Sequence, residues 1–109
     1  MSRFLILYRS TAEAGEQMAS ATPEQAQEGM QLWMKWAEKA GPALIDLGSP
    51  LGNSTTVGGS AQSGTPIGGY SVLEADSGKA VADLLTDHPH LHAPGAAIEV
   101  LEYLPMPGM

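Results

Sequence analysis

The 109-residue sequence predicts a single α+β domain whose elements follow the order β-α-β-β-α-β. Three observations predict this class. Four short apolar segments bounded by turn residues are typical of strands. Two segments with apolar residues at helical spacing are typical of helices; one lies between the first and second strands and the other between the third and fourth. The stretch from Gly69 to Tyr103 alone reads as strand, helix and strand. A chain of this length is large enough for one domain with a core of its own.

The first half holds one strand and one helix. Phe4–Tyr8 is an unbroken apolar run, which is typical of a strand buried on both faces. Thr22-Pro23-Glu24-Gln25 predicts a helix start with a capping box, and Gly41-Pro42 predicts its end. Residues 10–21 read as a loop with a helical turn near Glu13–Met18. The helical spacing selects these core positions: Ala26, Met30, Trp33, Met34 and Ala37.

The second half holds three strands and one helix, which the sequence places as follows: strands at Ala43–Leu47, Ile67–Ala75 and Ala97–Leu104, and a helix capped by Asp76 or Ser77 and stopped by Pro89. Gly68-Gly69 indicates a bulge or a close backbone approach. Residues 48–66 form an unusually long connection, which is either functional or partly a hairpin extension through residues 55–57.

Two right-handed β-α-β units that interleave give a ferredoxin-like sandwich, with both helices on one face of a four-stranded antiparallel sheet. The other face would stay open, although the first and last strands carry apolar residues on both sides. A large open apolar face usually marks an interface. We therefore expect a homodimer through the open sheet face, in the form of a dimeric α/β barrel with the helices outside.

The composition excludes several function classes. A net charge of −7 disfavours binding to nucleic acids and to anionic membranes. The chain has no cysteine, so it has neither a thiolate metal site nor a cysteine nucleophile. The opening apolar run is too short for a signal peptide or a membrane span, which predicts a cytoplasmic protein. No phosphate-binding glycine motif and no G-x-S-x-G elbow is present, and we expect no cofactor.

All three histidines lie within Asp87–His92. If this segment is extended, period two puts His88, His90 and His92 on one side, where they could hold zinc or copper. In the alternative, His88 closes the helix at its negative end, His90 packs near the sheet and His92 is solvated. We assign no metal ligands.

His90 is the candidate general acid–base, because a histidine titrates near neutral pH and a partner can fix its tautomer. The candidate partners are Asp46, Glu99 and Asp87. A structural histidine bonded to the backbone is the alternative. The residues expected to contact a small ligand in a cleft are Tyr8, Tyr70 and His92.

Two segments resemble the YCII-related family, especially its DGPF branch. Residues 68–77 resemble the family's GGFYLIEADS strand and helix cap, and residues 89–100 resemble its C-P-H-L-x-x-G-G-x-I-E-V ending. The resemblance implies a ferredoxin-like dimer, and a few family members resemble small lyases or dehydrochlorinases. The Asp-Gly-Pro-Phe signature is missing from residues 56–69, and the first helix lacks the histidine of the classical branch. Only His90 matches a family histidine.

Two functions follow as hypotheses. The first is a small dimeric protein that binds a small ligand in a cleft near His90 without catalysis. The alternative is a cofactor-free lyase, isomerase or dehalogenase-like enzyme that uses His90 as its general acid–base.

Overall fold

The computed structural model describes residues 1–11, 21–59, 65–93 and 95–107. The predicted helical turn at Glu13–Met18 lies outside these residues. The described elements are the strands β1 Ser2–Arg9, β2 Leu44–Pro50, β3 Ile67–Ala75 and β4 Ala97–Glu102, the helices α1 Pro23–Ala40 and α2 Gly78–Leu85, and the 3₁₀ turns Gly41–Ala43 and Pro89–His92. The predicted order of elements is confirmed.

The strands form one antiparallel sheet in the order β2-β3-β1-β4, consistent with a ferredoxin-like fold. Each crossover helix therefore connects two strands that have a third strand between them. β1 lies at the centre, where Phe4 pairs with Leu73 of β3 and Ile6 pairs with Val100 of β4. Because directly paired residues share a face, this register assigns each side chain to the helix-covered face or to the open face.

Alternation along β1 separates the two faces. Phe4, Ile6 and Tyr8 are buried beneath the helices, whereas Leu5 and Leu7 on the open face are half-buried. The sequence predicted that both faces of this strand are buried. In the single chain only the face beneath the helices is buried. The core contains Phe4, Ile6, Tyr8, Trp36, Ala40, Leu73, Ala75, Val81 and Leu85.

The ends of α1 follow the sequence signals. The Thr22 hydroxyl accepts a hydrogen bond from the Gln25 backbone N–H at 3.1 Å, and the Gln25 side chain accepts one from the Thr22 backbone N–H at 2.9 Å. These two bonds satisfy donors that a helix start leaves free. The helix stops at Gly41, whose φ of +56° favours glycine. Among the described residues, no helix is both long and apolar enough to cross a membrane.

The buried stripe of α1 differs from the predicted one. Trp36 and Ala40 are buried and Trp33 is half-buried, but Met30 is 61% exposed and Met34 is 47% exposed. The indole Nε1 of Trp36 donates to the carbonyl of Leu84 on α2 at 2.9 Å, which orients this face of α1 toward the core. At about 100° per residue, this orientation turns both methionines to the flank of the helix. The prediction that Ala26, Met30 and Met34 are core residues was wrong.

The remaining predicted boundaries are close to those observed. The pairing of Tyr8 with Gly69 is followed by that of Arg9 with Ile67, so that Gly68 forms the expected bulge. Ser77 caps α2, because its hydroxyl accepts from the Ala80 N–H at 3.1 Å. β4 ends two residues earlier than predicted, at Glu102.

β2 contains a bulge that the sequence did not reveal. Its pairing skips from Asp46–Val72 to Ser49–Tyr70, and Gly48 lies inside this gap with a φ of +87°. A Cβ on Gly48 would lie 1.7 Å from the carbonyl oxygen of Tyr70. β2 continues to Pro50, but residues 55–57 form no strand, so the hairpin extension is not observed.

Gly48→Ala should destabilise the protein by at least about 3 kcal/mol, because alanine meets both an unfavourable φ and a backbone collision. Gly29→Ala is the matched control, since beyond its chain neighbours and the backbone of α1 itself no atom lies within 4 Å of the added methyl group. This control should be about 0.5–1 kcal/mol more stable than the wild type. Urea unfolding measures both changes, and equal effects at the two glycines would contradict the tight packing at Gly48.

Candidate functional site

The histidine segment is not extended. After α2 ends at Leu85, Pro89–His92 forms a 3₁₀ turn, which has about three residues per turn and does not alternate. His88 is buried, His90 is half-buried and His92 is exposed. The extended arrangement with three histidines on one side was therefore wrong. No cluster of three or more histidine, aspartate or glutamate side chains suited to a metal ion occurs in the described part of the chain.

His88 lies inside an aromatic cage formed by Tyr8 of β1 and by Trp33 and Trp36 of α1. The centroid of its ring is 4.4 Å from each tryptophan ring and 4.9 Å from the tyrosine ring. Its exposed fraction is 0%. The ring Nδ1 accepts a hydrogen bond from the backbone N–H of His90 at 3.0 Å, which leaves the proton of the neutral ring on Nε2.

The electrostatics of the cage keep His88 uncharged. The pKa of His88 is lowered to about 4, chiefly by burial; the neighbouring His90 and His92 contribute to this lowering, and Asp87 opposes it. The buried Nε2 has no hydrogen-bond partner among the described residues. A neutral ring that contacts three aromatic rings is part of the core rather than a proton carrier at neutral pH.

His90 is bound to the backbone through its ring. Its Nε2 donates to the carbonyl oxygen of Arg9 at 2.8 Å, because a carbonyl can only accept. The ring packs against Tyr8, with 5.3 Å between the centroids. This geometry matches the structural alternative considered from the sequence.

The three carboxylates considered as partners of His90 have other partners. Asp46 accepts from the Tyr70 hydroxyl at 3.3 Å, Glu99 accepts from Arg9 Nε at 2.9 Å, and Asp87 pairs with Lys39. Asp46 lies on β2, which is separated from β4 by two strands, and Glu99 lies on the open face. The structure therefore does not bring Asp46 or Glu99 together with His90.

The three residues expected to contact a ligand lie in three different places. Tyr8 is buried, and its hydroxyl donates to Ser71 Oγ at 2.8 Å while Ser71 donates to the Leu47 carbonyl at 2.6 Å. Burial raises the pKa of Tyr8 to about 12, against the smaller effect of the Ser71 hydrogen bond. Tyr70 is on the open face, where the charge of Asp46 raises its pKa. His92 lies on the helix side.

Two surface grooves border the histidine turn. The first groove, here called the α1 groove, has a volume of about 180 Å³ and is lined by Leu32, Lys35, Trp36, Lys39, Asp87, Pro89 and His92. The second is an apolar groove of about 240 Å³ between α2 and β4, lined by Ala82, Leu85, Thr86, Leu91, Ile98 and Val100. His90 lines neither groove, although Pro89 and His92 bring its turn to the edge of the first.

Sequence reasoning did not select Lys35, Trp36 or Lys39 as candidate site residues, although all three line the α1 groove. The signal was present, because two of the chain's five Lys and Arg residues lie four positions apart, on either side of Trp36. This spacing places both lysines on one side of a helix. His92 was the only expected ligand contact that lines this groove.

The open sheet face is a further candidate surface. Leu5 pairs with Val72 on one side and Leu101 on the other, which gives an apolar stripe across three strands that also includes Leu7. Leu101 is 42% exposed. Ion pairs border the stripe: Arg3 contacts Glu74 at 3.4 Å, and Arg9 contacts Glu99 at 2.9 Å.

Comparison of the chain with protein-family models gives no match, and no curated protein matches it. The similarity to the YCII-related family therefore stays a prediction that depends on the two segments quoted above.

The stability of the protein should fall by about 2–3 kcal/mol between pH 6.5 and pH 4 because of His88. The pKa of His88 is lower in the folded protein than in the unfolded chain. As the pH falls, the unfolded chain therefore binds the proton first and is stabilised relative to the folded protein. Urea unfolding of wild type and His88→Phe at each pH isolates this contribution as a difference between two curves.

Val57→Ala is the control, since this side chain is 93% exposed and does not titrate, so the pH profile should stay unchanged. An NMR titration of the wild type gives the pKa of His88 directly, even if His88→Phe folds poorly. A folded-state pKa near 6.5 would contradict the buried neutral imidazole.

Proposed function

We propose that this chain is a non-catalytic homodimeric domain that binds a small ligand in the α1 groove. The observation that carries the proposal is the structural use of the histidine turn. His88 is enclosed in the aromatic cage and His90 is bonded to Arg9, while the adjoining groove offers an indole, a proline and two ammonium groups. The groove also contains His92 and Asp87, but Asp87 is paired with Lys39, so the groups present favour binding of a molecule over acid–base catalysis.

The homodimer is supported by the self-complementary character of the open face. One positively and one negatively charged residue lie at each end of its apolar stripe: Arg3 and Glu74 at one end, and Arg9 and Glu99 at the other. A two-fold axis through the stripe would bury apolar side chains against their own copies and place arginines near carboxylates of the partner. A second copy is therefore the occupant that this surface fits.

The resemblance to the YCII-related family supports the same assembly, since it implies a ferredoxin-like dimer. Membership of that family is part of the proposal. The alternative, a cofactor-free lyase, isomerase or dehalogenase-like enzyme, would need a general acid–base at His90. The bond from its Nε2 to the Arg9 carbonyl and the engagement of Asp46, Glu99 and Asp87 elsewhere favour binding over that alternative.

At micromolar protein concentration the wild type should be a dimer and Leu7→Arg a monomer. The change places a charge in the apolar stripe where the two copies would meet. Sedimentation velocity measures the assembly, and circular dichroism checks that the fold is retained. Val57→Arg is the matched control, since Val57 is 93% exposed in the 51–59 segment and should leave the dimer intact. A wild type that sediments as a monomer at micromolar concentration would rule out the dimer.

A fragment screen followed by amide chemical shifts should locate the ligand site. We expect the perturbed amides to cluster at residues 32–39 and 87–92, because these segments form the walls of the α1 groove. Shifts confined to β2 and β3, or to the groove between α2 and β4, would contradict the assignment. Loss of a screened catalytic turnover in His90→Gln, with fragment binding retained, would favour the enzyme instead.

A further inference from the structure

We propose that the ligand of the α1 groove is a small organic anion, a carboxylate joined to one flat apolar ring. This inference rests on the proposed binding function and names the chemical class of its ligand. It depends on how charge, apolar surface and size combine in one place.

The charge of the groove contrasts with that of the chain. The sequence has 12 Asp and Glu against five Lys and Arg, yet the groove has two lysines and one carboxylate. Each of the other three cations contacts a carboxylate: Arg3 with Glu74, Arg9 with Glu99 and Lys79 with Asp83. The cationic excess of the groove is thus unusual for this surface.

Within the groove, one lysine is neutralised and the other is not. Lys39 pairs with Asp87, and its hydrogen bond lowers the pKa of that carboxyl group, which therefore stays ionised. Lys35 forms no ion pair with any residue that the structure describes. An unpaired ammonium group on an acidic protein is a favourable position for an anion.

The rest of the groove suits an apolar ring. Trp36 is buried with its N–H already bonded to Leu84, so what it offers a ligand is apolar contact. Leu32, which is 43% exposed, and Pro89 extend this apolar surface. The volume of about 180 Å³ is below the range of about 300–1,000 Å³ typical of drug-sized ligands. A single ring is therefore the expected size.

His92 completes the set of polar groups. It is exposed, lines the groove together with Lys35, and its ring carries an N–H donor in either protonation state. A carboxylate has two acceptor oxygens, so one oxygen can accept from the ammonium group and the other from the imidazole. A neutral amide of the same shape lacks the negative charge that Lys35 attracts.

Benzoate and its neutral analogue benzamide test the inference, with the emission of the two tryptophans as the readout, since Trp36 lines the groove. We expect a saturable change with benzoate that weakens as salt is added, and binding of benzamide at least about tenfold weaker. Lys35→Gln should weaken benzoate binding about tenfold or more. Lys79→Gln, which changes an exposed lysine of α2, should leave it unchanged.

The outcomes separate the ligand class from the binding function. Equal binding of benzamide and benzoate, with no effect of Lys35→Gln but amide shifts at residues 32–39 and 87–92, would overturn the anionic class and keep the groove. No response to either compound, together with no fragment in the groove, would overturn both. Equal weakening by Lys79→Gln would also overturn the inference, because it would indicate attraction to the whole surface rather than to Lys35.

Discussion

The burial of one neutral imidazole holds the helical layer to the sheet. His88 contacts Tyr8 from the central strand and both tryptophans of α1, and its Nδ1 fixes the turn that follows α2. Removing an imidazole from water is tolerable only when it stays uncharged, because burial of the charged form is costly. The position of α1, the path of the 3₁₀ turn and the groove between them all depend on this contact.

The fold divides the two candidate surfaces between two sides. The helix-covered side has the histidine turn and the α1 groove, while the open side has the apolar stripe bordered by ion pairs. Dimerisation through the open face would leave the groove free in each copy, because the sheet lies between them. Binding and assembly can therefore be tested separately, and neither requires the histidines to transfer protons.

Local signals predicted the elements well, and side-chain positions less well. The capping box at Thr22 and the bulge at Gly68 depend on residues close in sequence, so the sequence alone identified them. Which stripe of α1 is buried depends on the bond between Trp36 and α2, a contact 48 positions away, and the prediction for Met30 failed there. The predicted arrangement of the histidines failed for a similar reason, because the aromatic cage of His88 is formed by residues of β1 and α1 that are distant in sequence.

The paired hydroxyls of Tyr8 and Ser71 give the sheet a connection that runs across its strands. Tyr8 on β1 donates to Ser71 on β3, which donates to the Leu47 carbonyl on β2, the strand interrupted by the bulge at Gly48. The same Tyr8 ring touches the imidazole of His88. A displacement of β2 would thus be transmitted to the helices through the hydroxyl groups of Ser71 and Tyr8 and the ring of His88. The edge strand with the bulge is in this way coupled to the core.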